Sequence, residues 1–226
     1  MGHEAPRREP GNSSAAVSGS EPRLGRPAKL PRDLLLVCRR CHIRLTESVL
    51  VVAVRQQRVY WYQRTASRPP GRREGGSRPE AGTGSNRPPG YVLRRRYLAS
   101  TSRVGVGQQS GSNRTPLGLH RVAEKIGAGH PIGTVFESRR PTGLTWNGKP
   151  DGSIAHRILW LEGLEPGLNQ GGSVDSHARY IYIHGLADEP TLGRPASRGC
   201  VHLAGADLLA LFDRLQTGSL VWIGWC

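Results

Sequence analysis

Short runs of β-branched and aromatic residues, ended by Gly, Pro or charged residues, make up most of the hydrophobic pattern of this chain. Within residues 48–62, the runs VLVVAV and RVYWY flank the polar stretch RQQ. Two such runs around a short turn predict a β-hairpin. Comparable runs predict further strands at residues 91–102, 119–123, 134–137, 158–161 and 220–225.

One helix is clear in the pattern, over residues 206–215. Its apolar residues recur at spacings of three and four, which places them on one face of a helix. Asp207 suits the first turn and Gly218 suits the point where the helix ends. The buried stripe is predicted to consist of Leu208, Leu211, Phe212 and Leu215.

Composition and charge refine this picture. The chain has 226 residues, of which 30 are Gly and 17 are Pro, and 36% are hydrophobic; this is typical of one β-rich domain with many turns and some disordered sequence. The net charge of +15 is unevenly distributed. Residues 1–45 carry nine Lys or Arg against four acidic residues, residues 64–100 carry nine against two, and residues 101–226 carry twelve against ten.

The basic excess therefore falls in two segments predicted to lie outside the folded core. Residues 1–45 are predicted to be a disordered basic extension, because most of them offer little apolar surface to bury. They lack the apolar core of a secretory signal, and the run at 34–38 is too short for a signal or a membrane span. Residues 64–90, rich in Arg, Pro and Gly, are predicted to be a flexible insertion that could contact anionic polymers through charge. Because these Arg residues lie among Pro, Gly and Ser, they do not indicate a specific nucleic-acid interface.

Cys38 and Cys41 form a lone CxxC that is followed by His42. A zinc site needs four ligands, usually from two such motifs, and no second motif follows. The βαβ pattern expected near a redox CxxC is also absent. The motif is interpreted as part of a short segment before the domain.

Candidate chemistry lies in residues 179–203, RYIYIHGLADEPTLGRPASRGCVHL. The β-type residues at 180–183 predict a buried strand that presents His184 at its end. A polar loop then leads to Cys200. A thiol near an imidazole is the arrangement that acyl transfer requires, with His184 as base and Cys200 as nucleophile. The amides of Gly199 and Cys200 would be the oxyanion donors. On residue type alone, one His and one Cys are also compatible with ordinary core positions.

The motif around these residues resembles the L,D-transpeptidase (YkuD-type) catalytic domain, whose enzymes act on bacterial peptidoglycan. His184 is followed by Gly, fifteen residues separate it from Cys200, and Ser197 begins an S-x-G-C pattern. The segment at residues 111–118 also resembles the family's T-P-x-G element. The resemblance extends over roughly residues 46–223.

For the fold, the resemblance implies a mainly β domain at residues 46–226, with the insertion at 64–90 interrupting it. The expected architecture is a β-sandwich or partly closed barrel, with one helix after the catalytic Cys.

For the site, the resemblance implies that Cys200 is the nucleophile, His184 the base, and Gly185 the residue whose carbonyl orients the imidazole. Ser197, Arg198, Gly199 and His202 are expected to bind substrate or stabilise the oxyanion. Position 202, often Arg or Asn in the family, is His here, and position 186, commonly Thr or Ser, is Leu. A neutral imidazole brings no charge for a substrate carboxylate. Arg198 is either the compensating cation or a solvated loop charge.

The implied activity is L,D-transpeptidation of peptidoglycan stem peptides through a thioester, without cofactor or metal, in the cell envelope. The acceptor, the export route and the oligomeric state stay open. Three alternatives remain: an L,D-carboxypeptidase, a metal-binding protein using His184, Cys200 and His202, and a non-catalytic binding module. The remaining histidines of the domain lack ligand spacing and are predicted to lie at the surface or in loops; they are His120, His130, His156 and His177.

Overall fold

The computed structural model describes residues 24–65, 90–147, 153–187 and 189–225. Within these ranges the chain forms eleven β-strands and two α-helices. The strands are β1 (Pro27–Ala28), β2 (Ser48–Ala53), β3 (Arg58–Arg64), β4 (Tyr91–Ser100), β5 (Gly118–Ile126), β6 (Thr134–Glu137), β7 (Arg140–Thr145), β8 (Ala155–Gly163), β9 (Tyr182–Gly185), β10 (Val201–Leu203) and β11 (Leu220–Gly224), and the helices are α1 (Arg32–Arg40) and α2 (Gly205–Arg214).

Eight of the strands form a closed barrel. They pair in the order β5-β11-β2-β3-β4-β10-β9-β8, and β8 pairs again with β5. The β6–β7 hairpin extends from β8, and β1 pairs with β4. The mainly β prediction is confirmed. The pairing of β5 with β8 completes the closure, and closing a barrel removes the exposed edges that an open sheet would leave.

The unbroken apolar run of β2 is explained by burial on both faces of the sheet. Leu50 and Val52 belong to a cluster that includes residues of all eight barrel strands, so they face the barrel interior. Val49 and Val51 belong to a second cluster on the outer face, which α1 covers. A strand covered on both sides needs no polar alternation, and β2 shows none.

Helix α2 begins and ends within one residue of its predicted bounds. Leu208, Leu211 and Phe212 are buried in the cluster that fills the barrel interior, and the helix lies against β8 and β9. Because α2 directly follows β10, its packing fixes the position of the strand that follows Cys200.

Helix α1 was not predicted. The prediction that residues 1–45 are disordered is wrong for its last part, because residues 32–40 form a helix that buries Leu34, Val37 and Cys38. Arg40 donates to Glu165 at 2.6 Å, which ties the end of α1 to the barrel. A nine-residue helix is only marginally stable alone, so it depends on the apolar outer face of the sheet. Residues 1–23 lie outside the described residues.

The CxxC motif lies at the end of α1, with Cys38 in its last turn and Cys41 at its C-cap. Both are free thiols. Burial, with smaller effects of Cys41 and Glu165, raises the pKa of Cys38 to about 11. Cys38 is therefore a protonated, packed thiol at neutral pH.

Nearly all of the predicted insertion, residues 66–89, lies outside the described residues. Its two ends are joined, because the Thr65 amide donates to the Gly90 carbonyl at 2.8 Å. Arg64 belongs to β3 rather than to the insertion.

Two histidines that were predicted at the surface or in loops are buried instead. His120 is fully buried, and its ring nitrogens lie 3.1 Å from the Gly118 carbonyl and 3.0 Å from Ser176 Oγ. His156 packs its ring against Gly185 and Gly205, where a Cβ would collide with it. The space for the His156 ring exists because Gly185 and Gly205 have no side chains. The hydrophobic pattern along a single strand does not reveal such a space.

Among the described residues, no helix is long and apolar enough to cross a membrane.

Candidate active site

The strands β9 and β10 bring His184 and Cys200 into one site. They pair in parallel with His184 opposite His202, and Cys200 immediately precedes β10. In this register Cys200 lies beside Tyr182, at the start of β9, two residues before His184 on the neighbouring strand. Both side chains border a cavity of about 400 Å³ whose lining is Ser153, Ile154, His184, Leu186, Ala196, Ser197, Arg198, Cys200 and His202.

The imidazole of His184 is buried and held by its own strand end. Its side chain is 3% exposed, and Nδ1 lies 2.9 Å from the Gly185 carbonyl. A carbonyl can only accept, so Nδ1 carries the proton and Nε2 is left as the basic nitrogen. Burial lowers the pKa of His184 to about 4, despite the opposing hydrogen bond to Gly185. His184 is therefore neutral at pH 7 and able to accept a proton.

Cys200 is a free, half-buried thiol. Burial raises its pKa to about 11, against the opposing effects of a backbone hydrogen bond from Tyr182 and the charge of Arg179. The thiol donates to the Tyr180 carbonyl over 3.5 Å. In the resting site, the neutral thiol and the neutral imidazole therefore line the same cavity.

Tyr180 lies outside the strand that was predicted for residues 180–183. The strand is Tyr182–Gly185, and Tyr180 has a left-handed φ of 57°. Its amide donates to the His177 carbonyl at 3.0 Å, so the residue closes a turn before the strand begins. This turn directs the Tyr180 carbonyl toward Cys200 and leaves its ring 52% exposed.

Ser197 organises the turn that carries the nucleophile. Its hydroxyl donates to the Cys200 carbonyl at 2.6 Å and accepts from the Gly199 amide at 3.2 Å. Gly199 has a φ of 125°, and a Cβ there would lie 3.3 Å from the Arg114 carbonyl. Of the two amides predicted as oxyanion donors, that of Gly199 is therefore directed to Ser197 in this structure.

His202 lies beside His184, with ring centroids 4.6 Å apart. Burial, and then the neighbouring His184, lower the pKa of His202 to about 3. Its Nδ1 is buried without a hydrogen-bond partner among the described residues. Arg198 is exposed and is the one permanently charged residue of the cavity lining in the described part of the chain. The described lining thus offers Arg198, not His202, to an anion.

Arg179 is a residue of this site that the sequence analysis missed. Its guanidinium donates to the carbonyls of Gln108 and Arg114, both at 2.7 Å, and so ties a distant loop to the site. Its charge also opposes the burial that raises the pKa of Cys200. No signal along residues 179–183 distinguishes this role from that of a surface arginine.

In the described ranges, no three His, Cys, Asp or Glu residues lie where they could hold a metal ion together. The metal-binding alternative, which needed His184, Cys200 and His202 as such a group, is not supported. The geometry instead brings together a thiol, an oriented imidazole and a turn held by Ser197.

Comparison with known families agrees with this geometry. The family model described as the L,D-transpeptidase catalytic domain, YkuD, matches residues 42–223. The chain belongs to this family. The match begins just after α1, so the barrel and the site are the parts that the family shares.

Several solved structures resemble this chain at low sequence identity. Bd1075 of Bdellovibrio bacteriovorus is 14% identical with a TM-score of 0.46, and the match covers 80% of this chain and 49% of that one. L,D-transpeptidase 3 of Mycobacterium tuberculosis is 18% identical with a TM-score of 0.42, and coverage is 79% and 61%. An L,D-transpeptidase of Mycobacterium smegmatis is 15% identical with a TM-score of 0.40, and coverage is 79% and 58%. The chain thus spans about half to three fifths of the length of these structures. No curated protein matches the chain.

Proposed function

We propose that this protein is a peptidoglycan L,D-transpeptidase that forms a thioester at Cys200 with a tetrapeptide stem. The observation that carries the proposal is the shared cavity of Cys200 and His184, with His184 Nδ1 bound to the Gly185 carbonyl. That bond leaves Nε2 free to act on the thiol. Nucleophile and base suffice for this chemistry, so the mechanism requires no cofactor.

In the first step, Cys200 Sγ attacks the carbonyl carbon of the L-centred residue that precedes the terminal D-alanine. His184 Nε2 takes the thiol proton as the C–S bond forms, which avoids a free thiolate whose formation burial opposes. The tetrahedral intermediate collapses with cleavage of the C–N bond, and the imidazolium returns the proton to the departing amine of D-alanine. The product is a thioester.

In the second step, an amine of a neighbouring stem attacks the thioester carbonyl. His184 removes the proton of the attacking nitrogen, the C–S bond breaks, and the sulfur recovers a proton from the imidazolium. Water in place of the amine would make the same site an L,D-carboxypeptidase. Both reactions share the first step, so they separate only at the second.

The turn at Ser197 supports the oxyanion in this scheme. The Cys200 amide is adjacent to the nucleophile, and the Gly199 amide would join it by exchanging its bond to Ser197 for one to the developing oxyanion. Ser197 meanwhile holds the Cys200 carbonyl, which fixes the direction of the peptide. Arg198 is the proposed contact for a substrate carboxylate, in place of the Arg or Asn that the family often has at position 202.

The proposed partners are peptidoglycan stem peptides, and the proposed location is the cell envelope. Incubation of the protein with a tetrapeptide donor and a stem acceptor, followed by mass analysis of products, tests the reaction. A cross-linked product with release of D-alanine is expected from the wild type and not from Cys200→Ala. Tripeptide alone would indicate the carboxypeptidase, and unchanged donor would contradict both.

A further inference from the structure

A cluster of one cation and three aromatic rings lies against the nucleophile, on residues outside the cavity lining described above. We call it the Arg139 cluster, and its members are Arg139, Trp160, Tyr180 and Tyr182. The Arg139 guanidinium lies 4.6 Å from the Trp160 ring centroid and 4.9 Å from that of Tyr180. Its Nη1 lies 3.4 Å from the Tyr182 hydroxyl.

Two members of the cluster also contact Cys200. The Tyr180 carbonyl accepts the thiol hydrogen bond, and Tyr182 supplies a backbone hydrogen bond to the sulfur. Cys200 itself packs against the apolar cluster that contains Trp160 and Tyr182. Tyr180 therefore contacts both groups: the Arg139 guanidinium lies over its ring, and the Cys200 thiol donates to its carbonyl.

The backbone at Arg139 is in an unfavourable conformation. Ser138 and Arg139 form the turn of the β6–β7 hairpin with left-handed φ values of 46° and 68°. Such turns favour Asn-Gly, and a residue with a side chain is strained there by roughly 1–2 kcal/mol. The chain keeps Arg at a position where its backbone is disfavoured, and the result is a guanidinium placed over the rings. Strain of this kind is often stored at functional sites.

Arg139 makes no contact with a carboxylate among the described residues. Its described contacts are the two ring faces and the side-chain hydrogen bonds to Tyr182 and Tyr180, which leave other N–H donors of the guanidinium available. A planar guanidinium held over aromatic rings is preorganised to bind a carboxylate through two parallel hydrogen bonds. The Tyr180 ring is 52% exposed, so the cluster is open to an incoming peptide.

We propose that the Arg139 cluster is a specificity subsite that binds a free carboxylate of the peptide reacting at Cys200. The proposal rests on the proposed function. The carboxylate belongs either to the donor stem or to the acceptor stem, since both peptides must pass beside the thiol. Arg198 is a separate cation, which belongs to the cavity lining.

The test compares Arg139→Gln with Arg140→Gln, a control that removes the same charge from the adjacent, exposed residue of the hairpin. Two synthetic tetrapeptide donors are used, one with free side carboxylates and one with the corresponding carboxamides. If the donor supplies the carboxylate, Arg139→Gln lowers kcat/KM for acylation about tenfold, mainly through KM, with the carboxylate donor only. Arg140→Gln leaves both donors unchanged, and Arg139→Lys recovers part of the loss.

If the acceptor supplies the carboxylate, Arg139→Gln leaves acylation unchanged and lowers transfer about tenfold to an acceptor with a free carboxylate, but not to its carboxamide. Equal losses with carboxylate and carboxamide peptides, or no loss in either step, would overturn the proposal. If wild-type protein forms no thioester with any donor, the proposed function fails instead, and this outcome is visible before any variant is compared.

Discussion

At the residue scale, the hydroxyl of Ser197 bridges the Gly199 amide and the Cys200 carbonyl. It accepts from the Gly199 amide and donates to the Cys200 carbonyl, so it sets the direction of the turn from which Sγ projects. Removing it would leave Gly199 and Cys200 without this bridge. Acyl transfer is sensitive to small displacements of the nucleophile, because the reacting atoms must meet in a narrow range of geometry.

Ser197→Ala is therefore expected to lower the rate of Cys200 acylation about tenfold or more while the protein stays folded. Ser173→Ala is the control, since Ser173 is an exposed serine in the short 3-10 helix Gly172–Val174, where its hydroxyl accepts from the exposed Gln109 side chain. The rates are obtained by quenching the acylation reaction at several times and measuring the acylated fraction of the protein by mass spectrometry. Equal rates for both variants would show that the Ser197 bridge does not position the thiol.

The resting protonation states make a second prediction at this scale. Burial lowers the pKa of His184 to about 4 and raises that of Cys200 to about 11. The reactive form, a neutral imidazole beside a neutral thiol, forms as pH rises through the first pKa and is lost only near the second. Acylation rates should therefore be flat between about pH 6 and 9. A midpoint within this range would indicate a thiolate–imidazolium resting pair instead.

At the scale of elements, the sequence predicted the strands and the helix whose hydrophobic pattern is local. The runs of β2 and β3 and the stripe of α2 are periodic, and the structure places them within a few residues of their predicted bounds. Helix α1 was missed because its apolar residues form one short run, and their burial depends on a sheet face formed by β2, β3, β4, β5 and β11. The turn at Tyr180 was missed because the residue types at 180–183 favour a strand. In the structure, the Tyr180 amide donates to the His177 carbonyl and closes a turn instead.

Substitution of a buried and of an exposed leucine tests the packing of α1. Leu34 is fully buried, whereas Leu36 is 48% exposed. Leu34→Ala should lower the free energy of unfolding by about 2–5 kcal/mol, because it leaves a cavity between α1 and the sheet. Leu36→Ala should change it by less than about 0.5 kcal/mol. Denaturant unfolding measures both, and similar effects would contradict the packing of α1.

At the scale of the whole molecule, the motif from His184 to Cys200 predicted the residues that line the cavity better than the residues around it. The spacing identified the two residues that β9 and β10 bring together, with Ser197, Arg198 and His202 beside them. Arg139 and Arg179 could not be found in this way. Arg139 reaches the Tyr180 ring from the β6–β7 hairpin, which is distant in sequence. The role of Arg179 depends on its contacts with residues 107–114, which are also distant.

The closed barrel also buries several histidines, and this gives a prediction for the stability of the whole fold. Burial lowers the pKa values of His120 and His184 to about 4 and that of His202 to about 3. Below the ordinary histidine pKa of about 6.5, the unfolded chain binds more protons than the folded chain. The stabilisation from neutral burial is thus complete above that pH and is lost as pH falls toward 4.

The free energy of unfolding should therefore decrease between pH 6.5 and pH 4, by about 1.4 kcal/mol per pH unit for each of these histidines. Denaturant titrations at several pH values measure the slope. His120→Gln, which removes one of the three groups, should give a shallower slope even if it lowers stability overall. A stability independent of pH in this range would contradict the burial of neutral histidines.

The central claim is that Cys200, activated by His184, becomes acylated by a peptidoglycan stem. Intact-mass spectrometry after mixing the protein with a tetrapeptide-stem muropeptide tests this most directly, with Cys200→Ala beside the wild type. We expect a covalent adduct on the wild type whose mass equals the stem without its terminal D-alanine, and none on the variant. No adduct on correctly folded wild-type protein, or an equal adduct on Cys200→Ala, would contradict it.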